Sequence, residues 1–232
     1  MTDDNLKLKV AAISRIRTVT DGEGVTTLVV SMGCPLRCAY CLNPITWDGT
    51  YNNFVKEYTL DDLYNELKID DLYFLATGGG IMFGGGEPLL NYKFIKAFIE
   101  KYKDTGWKFN LETSLNVPIE YLKEVVDLID FFIVDTKDMN KERYELYTKG
   151  DYERFLNNLK FLLNKAGSDK IKARVPSIPK LHKDKEYEEN SKMLKGMGIE
   201  NIEVFQYIMP ELRKKVSKEA FENREDFLSS IE

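Results

Sequence analysis

Residues 25–44 read VTTLVVSMGCPLRCAYCLNP. The first eight positions, VTTLVVSM, are rich in β-branched side chains, which suit a pleated, buried strand. That strand runs without interruption into a loop carrying Cys34, Cys38 and Cys41, the only three cysteines of the chain. Reactive groups placed directly after the C-terminal end of a strand follow the logic of an α/β fold. Working outward, IMFGGGEP (81–88), WKFNLET (107–113), DFFIVDT (130–136), KIKARVP (170–176) and NIEVFQYI (201–208) are further strand candidates. Thr59 precedes LDDLYNEL as a helix N-cap, and apolar residues recur at helical spacing over 91–103. Stretches 118–128, 151–166, 186–196 and 217–230 read as further helices. Strand and helix alternate about six times, which predicts stacked βαβ units, a parallel sheet and a single α/β domain over residues 1–232.

Composition narrows the function. The chain has 232 residues, 33 Lys+Arg against 38 Asp+Glu and a net charge of −5, with 43% hydrophobic residues. This is too apolar for a disordered chain, and no clustered basic excess offers a footprint for nucleic acid. The N-terminal MTDDNLKLKV lacks an apolar signal region, and no window approaches the ~18 apolar residues of a membrane span. The expectation is a soluble, cytoplasmic protein that binds neither nucleic acid nor membrane.

Three cysteines packed into eight residues do not make a disulfide framework; clustered thiols read as metal or redox ligands. A closed zinc site needs four ligands, so His182, the only histidine, or a carboxylate would have to complete it. A [4Fe–4S] cluster normally takes four thiolates, and three would leave one iron open to bind other atoms.

The C-x3-C-x2-C spacing, with Tyr40 before the last cysteine, resembles the cluster motif of the radical S-adenosylmethionine (SAM) superfamily. The resemblance implies a partial (β/α)6 barrel, and a [4Fe–4S] cluster on Cys34, Cys38 and Cys41 whose open iron chelates SAM. Tyr40 would stack beside the adenine or shield the cluster. Taken alone, Gly84-Gly85-Gly86-Glu87-Pro88 is a tight turn, and no GK[ST] follows to make it a P-loop. It is similar to the superfamily's GGE(P) motif, which implies that Gly85, Gly86 and Glu87 cradle the SAM amino group.

Leu111-Glu112-Thr113-Ser114 and Val134-Asp135-Thr136-Lys137 end successive predicted strands. They resemble glycyl-radical-enzyme activating enzymes of the pyruvate formate-lyase type. That likeness implies a monovalent cation (Na+ or K+) on Glu112, Thr113 and Asp135, with Lys137 contacting SAM. Arg174 lies in an apolar strand, where it must snorkel or find a partner; the resemblance makes it and Asn190, in DKEYEEN, cofactor-binding residues. Asp21, in Asp21-Gly22-Glu23-Gly24, would contact the peptide substrate. His182 reads as a solvated histidine without a role. Three positions depart from the activase pattern: Leu42 replaces His, Thr26 replaces the Arg of DG-x-G-x-R, and Leu115 replaces Gly. DGEG and CLNPITWD are also similar to the anaerobic ribonucleotide reductase activase.

The implied function is SAM cleavage to a 5′-deoxyadenosyl radical that takes a hydrogen from a glycine Cα of a partner glycyl radical enzyme. No protein general base is needed. With no further cysteines for an auxiliary cluster, electrons would come from flavodoxin or ferredoxin, and a monomer is expected. The alternatives are a radical SAM enzyme for a small molecule or peptide, similar to 7-carboxy-7-deazaguanine synthase, and a non-catalytic zinc-binding module.

Overall fold

The computed structural model describes residues 6–18, 20–48, 54–178, 182 and 185–206. Its centre is one eight-stranded sheet: β1 (Leu8–Arg17), β2 (Thr26–Ser31), β3 (Lys56–Tyr58), β4 (Gly80–Gly85), β5 (Lys108–Thr113), β6 (Phe131–Asp135), β7 (Ile171–Ser177) and β8 (Ile202–Gln206). The strand order is β3-β1-β2-β4-β5-β6-β7-β8. From β2 to β8 every pairing is parallel, and these are the six strands read from the sequence. The sheet is open, with β3 and β8 at its two edges.

The helices are α1 (Ile45–Asp48), α2 (Leu60–Leu67), α3 (Asp71–Thr77), α4 (Tyr92–Tyr102), α5 (Ile119–Val125), α6 (Lys141–Thr148), α7 (Tyr152–Ala166) and α8 (Glu186–Gly196). Capping sets several starts: Thr59 and Asp62 form a capping box on α2, Asn140 caps α6 and Asp151 caps α7. Alternate strand residues such as Val29, Phe83, Leu111, Phe132 and Val175 pack with helix residues such as Leu63, Phe98, Leu122 and Phe155 in the main core. The other face of the sheet carries a smaller apolar cluster, Leu28, Val30, Met82 and Ile133.

Besides the one-turn α1, four elements escape the sequence reading. β1 and β3 form an antiparallel edge whose apolar residues are interrupted by Lys7, Lys9, Arg15, Arg17 and Lys56. α3 leaves Leu72, Tyr73 and Leu75 exposed, so its apolar pattern does not mark a buried face. α6 buries Tyr144, Tyr147 and Thr148, a face that hydropathy does not distinguish from its polar side. The helix expected over 217–230 and the end of the last strand candidate lie outside the described residues.

β1 contains a bulge that matters below. Ser14 pairs with Leu28 and Arg17 with Thr26, so Arg15 and Ile16 together face Thr27. Ile16 has φ 54°, a left-handed conformation that β-branched residues rarely adopt. In an unbroken strand Arg15 and Arg17 would share a face. Here Arg15 bonds Asp70 at 2.7 Å on the helix side, while Arg17 turns to the other face and engages Asp21.

Candidate active site

The cysteine loop leaves β2 and is held from two sides. Arg37 N and Ala39 N each donate, at 2.8 Å, to the Thr148 and Tyr147 carbonyls at the end of α6. On the other side Gly33 N donates to Thr46 O at 2.7 Å, and Asn43 Nδ2 to Gly85 O at 3.3 Å. The glycines after β4 allow this close approach. Glu87 N donates to Gly33 O at 2.7 Å, and a Cβ on Gly86 would overlap that same carbonyl oxygen. Gly85 has φ 92° and lies against Val30, leaving no room for a side chain.

The C-terminal ends of β2, β4, β5 and β6 therefore surround a cavity of about 830 Å³, including its open mouth. Cys34, Cys38 and Cys41 line it together with Tyr40, Gly85, Gly86, Glu112, Thr113, Asp135 and Lys137. Ser114 and Phe205 also line it and were missed. Phe205 was legible only as an alternating strand residue, and Ser114 as the position after Glu112-Thr113.

Burial pushes the Cys34 thiol up to about 11, with the Glu87 charge adding to the effect, and burial also raises Cys38. For Lys137 burial works against the charged form, but Asp135 and Cys38 outweigh it and hold the ammonium protonated. Lys137, in a left-handed conformation at φ 58°, is ion-paired to Asp135 Oδ2 and lies 5.7 Å from the Tyr40 ring centroid. The other Asp135 oxygen, Oδ1, is buried without a hydrogen-bond partner. The Lys137 loop is fixed from beneath: Tyr147 Oη donates to Lys137 O at 2.9 Å, and Thr136 N donates to Arg174 O at 3.1 Å.

Four residues expected at the cofactor or substrate lie elsewhere. Glu87 is fully buried beside the cavity, its carboxylate accepting from Thr113 Oγ1 (2.7 Å), Ser114 N (2.8 Å), Ser114 Oγ (2.6 Å) and Leu89 N (3.2 Å). Burial raises its carboxyl against those donors. It clamps β4 to β5, and its side chain has no oxygen left for a ligand. Arg174 donates to Glu112 Oε1 at 2.6 Å, Thr20 O at 2.9 Å and Glu203 Oε2 at 3.4 Å. Asp21 is buried and paired through both oxygens with Arg17. Burial alone would raise its carboxyl, but Arg17 and Thr20 outweigh that and hold it low. The guanidinium absent at Thr26 thus reaches Asp21 from Arg17, while Thr26 Oγ1 adds a 3.3 Å bond to the same carboxylate. Asn190 is buried on α8 and accepts from Met139 N at 3.0 Å, supporting the Lys137 loop from behind.

His182 is a further correction: it is buried, with Nδ1 accepting from Ile178 N at 3.1 Å and Nε2 3.3 Å from Asp138 Oδ2. Asp138 also binds Arg143 and accepts from Tyr147 Oη at 3.2 Å. Nothing in the local sequence announces this long-range pairing.

Residues 28–186 match the radical SAM superfamily. The chain belongs to that superfamily. Among curated radical SAM relatives, the pyruvate formate-lyase 2-activating enzyme of Escherichia coli (strain K12) is 26% identical over 189 residues, covering 70% of this chain and 64% of the relative. The pyruvate formate-lyase-activating enzyme of Staphylococcus aureus (strain USA300) is 31% identical over 145 residues, covering 60% and 57%. The chain thus spans 57% to 64% of the length of these relatives. The fold is shared with Streptococcus suis SuiB bound to precursor peptide SuiA, at a TM-score of 0.59 and 18% identity over 88% of this chain and 45% of that one.

A radical SAM protein implies a [4Fe–4S] cluster and SAM, and the three thiols bordering the cavity suit such a cluster. Among the described residues no three His, Cys, Asp or Glu side chains meet around a single ion. The three thiols border one shared cavity, and thiolates suit iron–sulfur clusters. Buried thiols pushed upward become thiolates only beside strong positive charge, which iron supplies. The monovalent cation fits less well: Glu112 already holds Arg174, Asp135 holds Lys137, and Thr113 Oγ1 is used by Glu87. No helix among the described residues is long and apolar enough to cross a membrane.

Proposed function

We propose that the chain is an activating enzyme for a glycyl radical enzyme. Bound at the thiols, a reduced [4Fe–4S] cluster would cleave SAM and supply a 5′-deoxyadenosyl radical able to take a hydrogen atom from a glycine Cα. One observation carries the reading: three thiols, the Gly85-Gly86 backbone and the Lys137 ammonium line a single cavity at the C-terminal strand ends. The likeness to two pyruvate formate-lyase activating enzymes supports the choice of partner.

Cys34, Cys38 and Cys41 would hold the cluster, which would supply the electron that cleaves SAM. Gly85 and Gly86 present backbone polar groups to the SAM amino group, and Lys137 faces its carboxylate. Tyr40, walled by Tyr147 at 5.2 Å, gives the apolar surface that keeps water from the cluster. Glu87, Arg174, Asp21 and Asn190 act one layer back: they fix the strand ends that present these groups. Electrons arrive from flavodoxin or ferredoxin, and the protein works as a monomer.

The test combines anaerobically reconstituted protein, SAM, dithionite and pyruvate formate-lyase. The expected result is a glycyl-radical EPR signal on the lyase, with 5′-deoxyadenosine formed in proportion. 5′-Deoxyadenosine formed without that radical, and carrying deuterium from a labelled metabolite or peptide, would replace this reading with the small-molecule or peptide alternative. Bound zinc with no iron would restore the zinc module.

A further inference from the structure

Trp47 lies on α1 beyond the cysteine loop, and its indole Nε1–H donates to Cys41 Sγ at 3.3 Å. Over the same ring sits Arg37, its guanidinium carbon 4.8 Å from the centroid. Arg37 is itself held in the loop, with Nη1 donating to the Cys34 and Leu36 carbonyls, both at 2.7 Å. A cation is thus stacked on an aromatic ring whose N–H is aimed at a cluster sulfur. Neither side chain lines the cavity, so both reach the site through the cysteine loop and not by touching a ligand. The turn that carries Trp47 is tied to the same loop, since Thr46 O accepts from Gly33 N and Trp47 N donates to Pro44 O at 3.0 Å.

We propose that Trp47, polarised by Arg37, is a positioning residue that sets the reduction potential of the cluster through Cys41. A hydrogen bond to a ligating thiolate draws electron density from the iron and favours the more negative, reduced state. A guanidinium over the indole face makes the N–H a stronger donor and adds positive charge near the cluster. The pair therefore raises the potential, making the cluster easier for an external donor to reduce. This inference rests on the proposed function.

Trp47→Phe keeps a ring under Arg37 and removes only the donor. In an EPR-monitored redox titration of the reconstituted protein, its midpoint is expected to fall below that of the wild type, with iron content and the SAM-induced change of signal retained. Arg37→Gln, at an exposed position, is expected to shift the midpoint the same way by less, and it tests the idea should Trp47→Phe not fold. An unmoved midpoint in a fully loaded variant overturns the proposal. A cluster-free arm separates this from failure of the function itself. The chain has two tryptophans, so 15N-labelled protein shows two indole N–H signals, and Trp107→Phe identifies that of Trp47. That signal moves on Cys41→Ala if the contact exists; a signal that stays in place overturns the proposal even if no cluster ever loads.

Discussion

Two polar regions lie on the same face of the sheet and are wired in opposite ways. At the C-terminal strand ends the cavity keeps bonding capacity in reserve: three thiols, the backbone at Gly85 and Gly86, and a buried Asp135 oxygen without a partner. Behind it, the belt of Arg17, Asp21, Arg174 and Glu203 uses its charges within the protein, and it reaches the cavity wall where Arg174 pairs with Glu112. Both regions contain residues that the activase resemblance links to cofactor or substrate. Residue type alone does not tell them apart; unspent bonding capacity does. A charged side chain that has closed on another charge away from the cavity orients the site, whereas Lys137, though paired with Asp135, still borders it.

The sharpest way to break this contrast is at the cavity. Cys38→Ala is expected to abolish cluster loading and activity together, read by iron and sulfide content, while the thermal midpoint of the cluster-free chain changes little. Gly86→Ala comes next, because its methyl group must displace the Gly33 carbonyl under the cysteine loop. Overpacking of this kind costs about 3 kcal/mol, visible as a lowered urea midpoint.

The belt should respond in stability and in pH. Asp21→Asn is expected to cost about 2 kcal/mol at neutral pH by leaving Arg17 without its carboxylate. Because the folded Asp21 carboxyl is held below its unfolded value, that contribution is complete above the unfolded value of about 4 and fades as the pH falls through the folded one. Urea titrations from pH 7 to pH 2 should therefore show the wild type and Asp21→Asn converging in acid; a constant gap would mean that the carboxylate charge is irrelevant. The smallest expected effect concerns the cation. With Arg174 and Lys137 already on Glu112 and Asp135, exchanging Na+ for K+ at constant ionic strength should leave SAM cleavage within about twofold, less than half a kcal/mol. A larger change would show that an ion displaces these side chains.

What the sequence makes legible follows the range of the interactions. The six parallel strands and the cavity wall are written locally, in β-branched runs, cysteine spacing and glycines that follow a strand. The lining positions Cys34, Cys38, Cys41, Gly85, Gly86, Glu112, Asp135 and Lys137 all sit at strand ends or just beyond them, where α/β geometry gathers groups. The misplaced residues depend on pairings far apart in the chain. Arg174 meets Thr20 across 154 positions, and His182 meets Asp138 across 44. Local pattern cannot reveal whether such a charge faces a ligand or another part of the protein. The antiparallel edge was hidden for a related reason, since its charged residues find their partners only after β1 has paired.

The bulge at Ile16 has a consequence for how this hairpin can change in length. With Arg15 and Ile16 sharing one partner, β1 holds at this bulge one residue more than its local pairing with β2 uses, besides a second irregularity between Val10 and Ala12. Removing Ile16 would let Arg15 face Thr27 and Arg17 face Thr26 with no residue forced into a left-handed conformation. The hairpin thus contains a spare link: it can be shortened by one residue and still deliver the same guanidinium to the same carboxylate, so insertions and deletions here need not disturb the chemistry above.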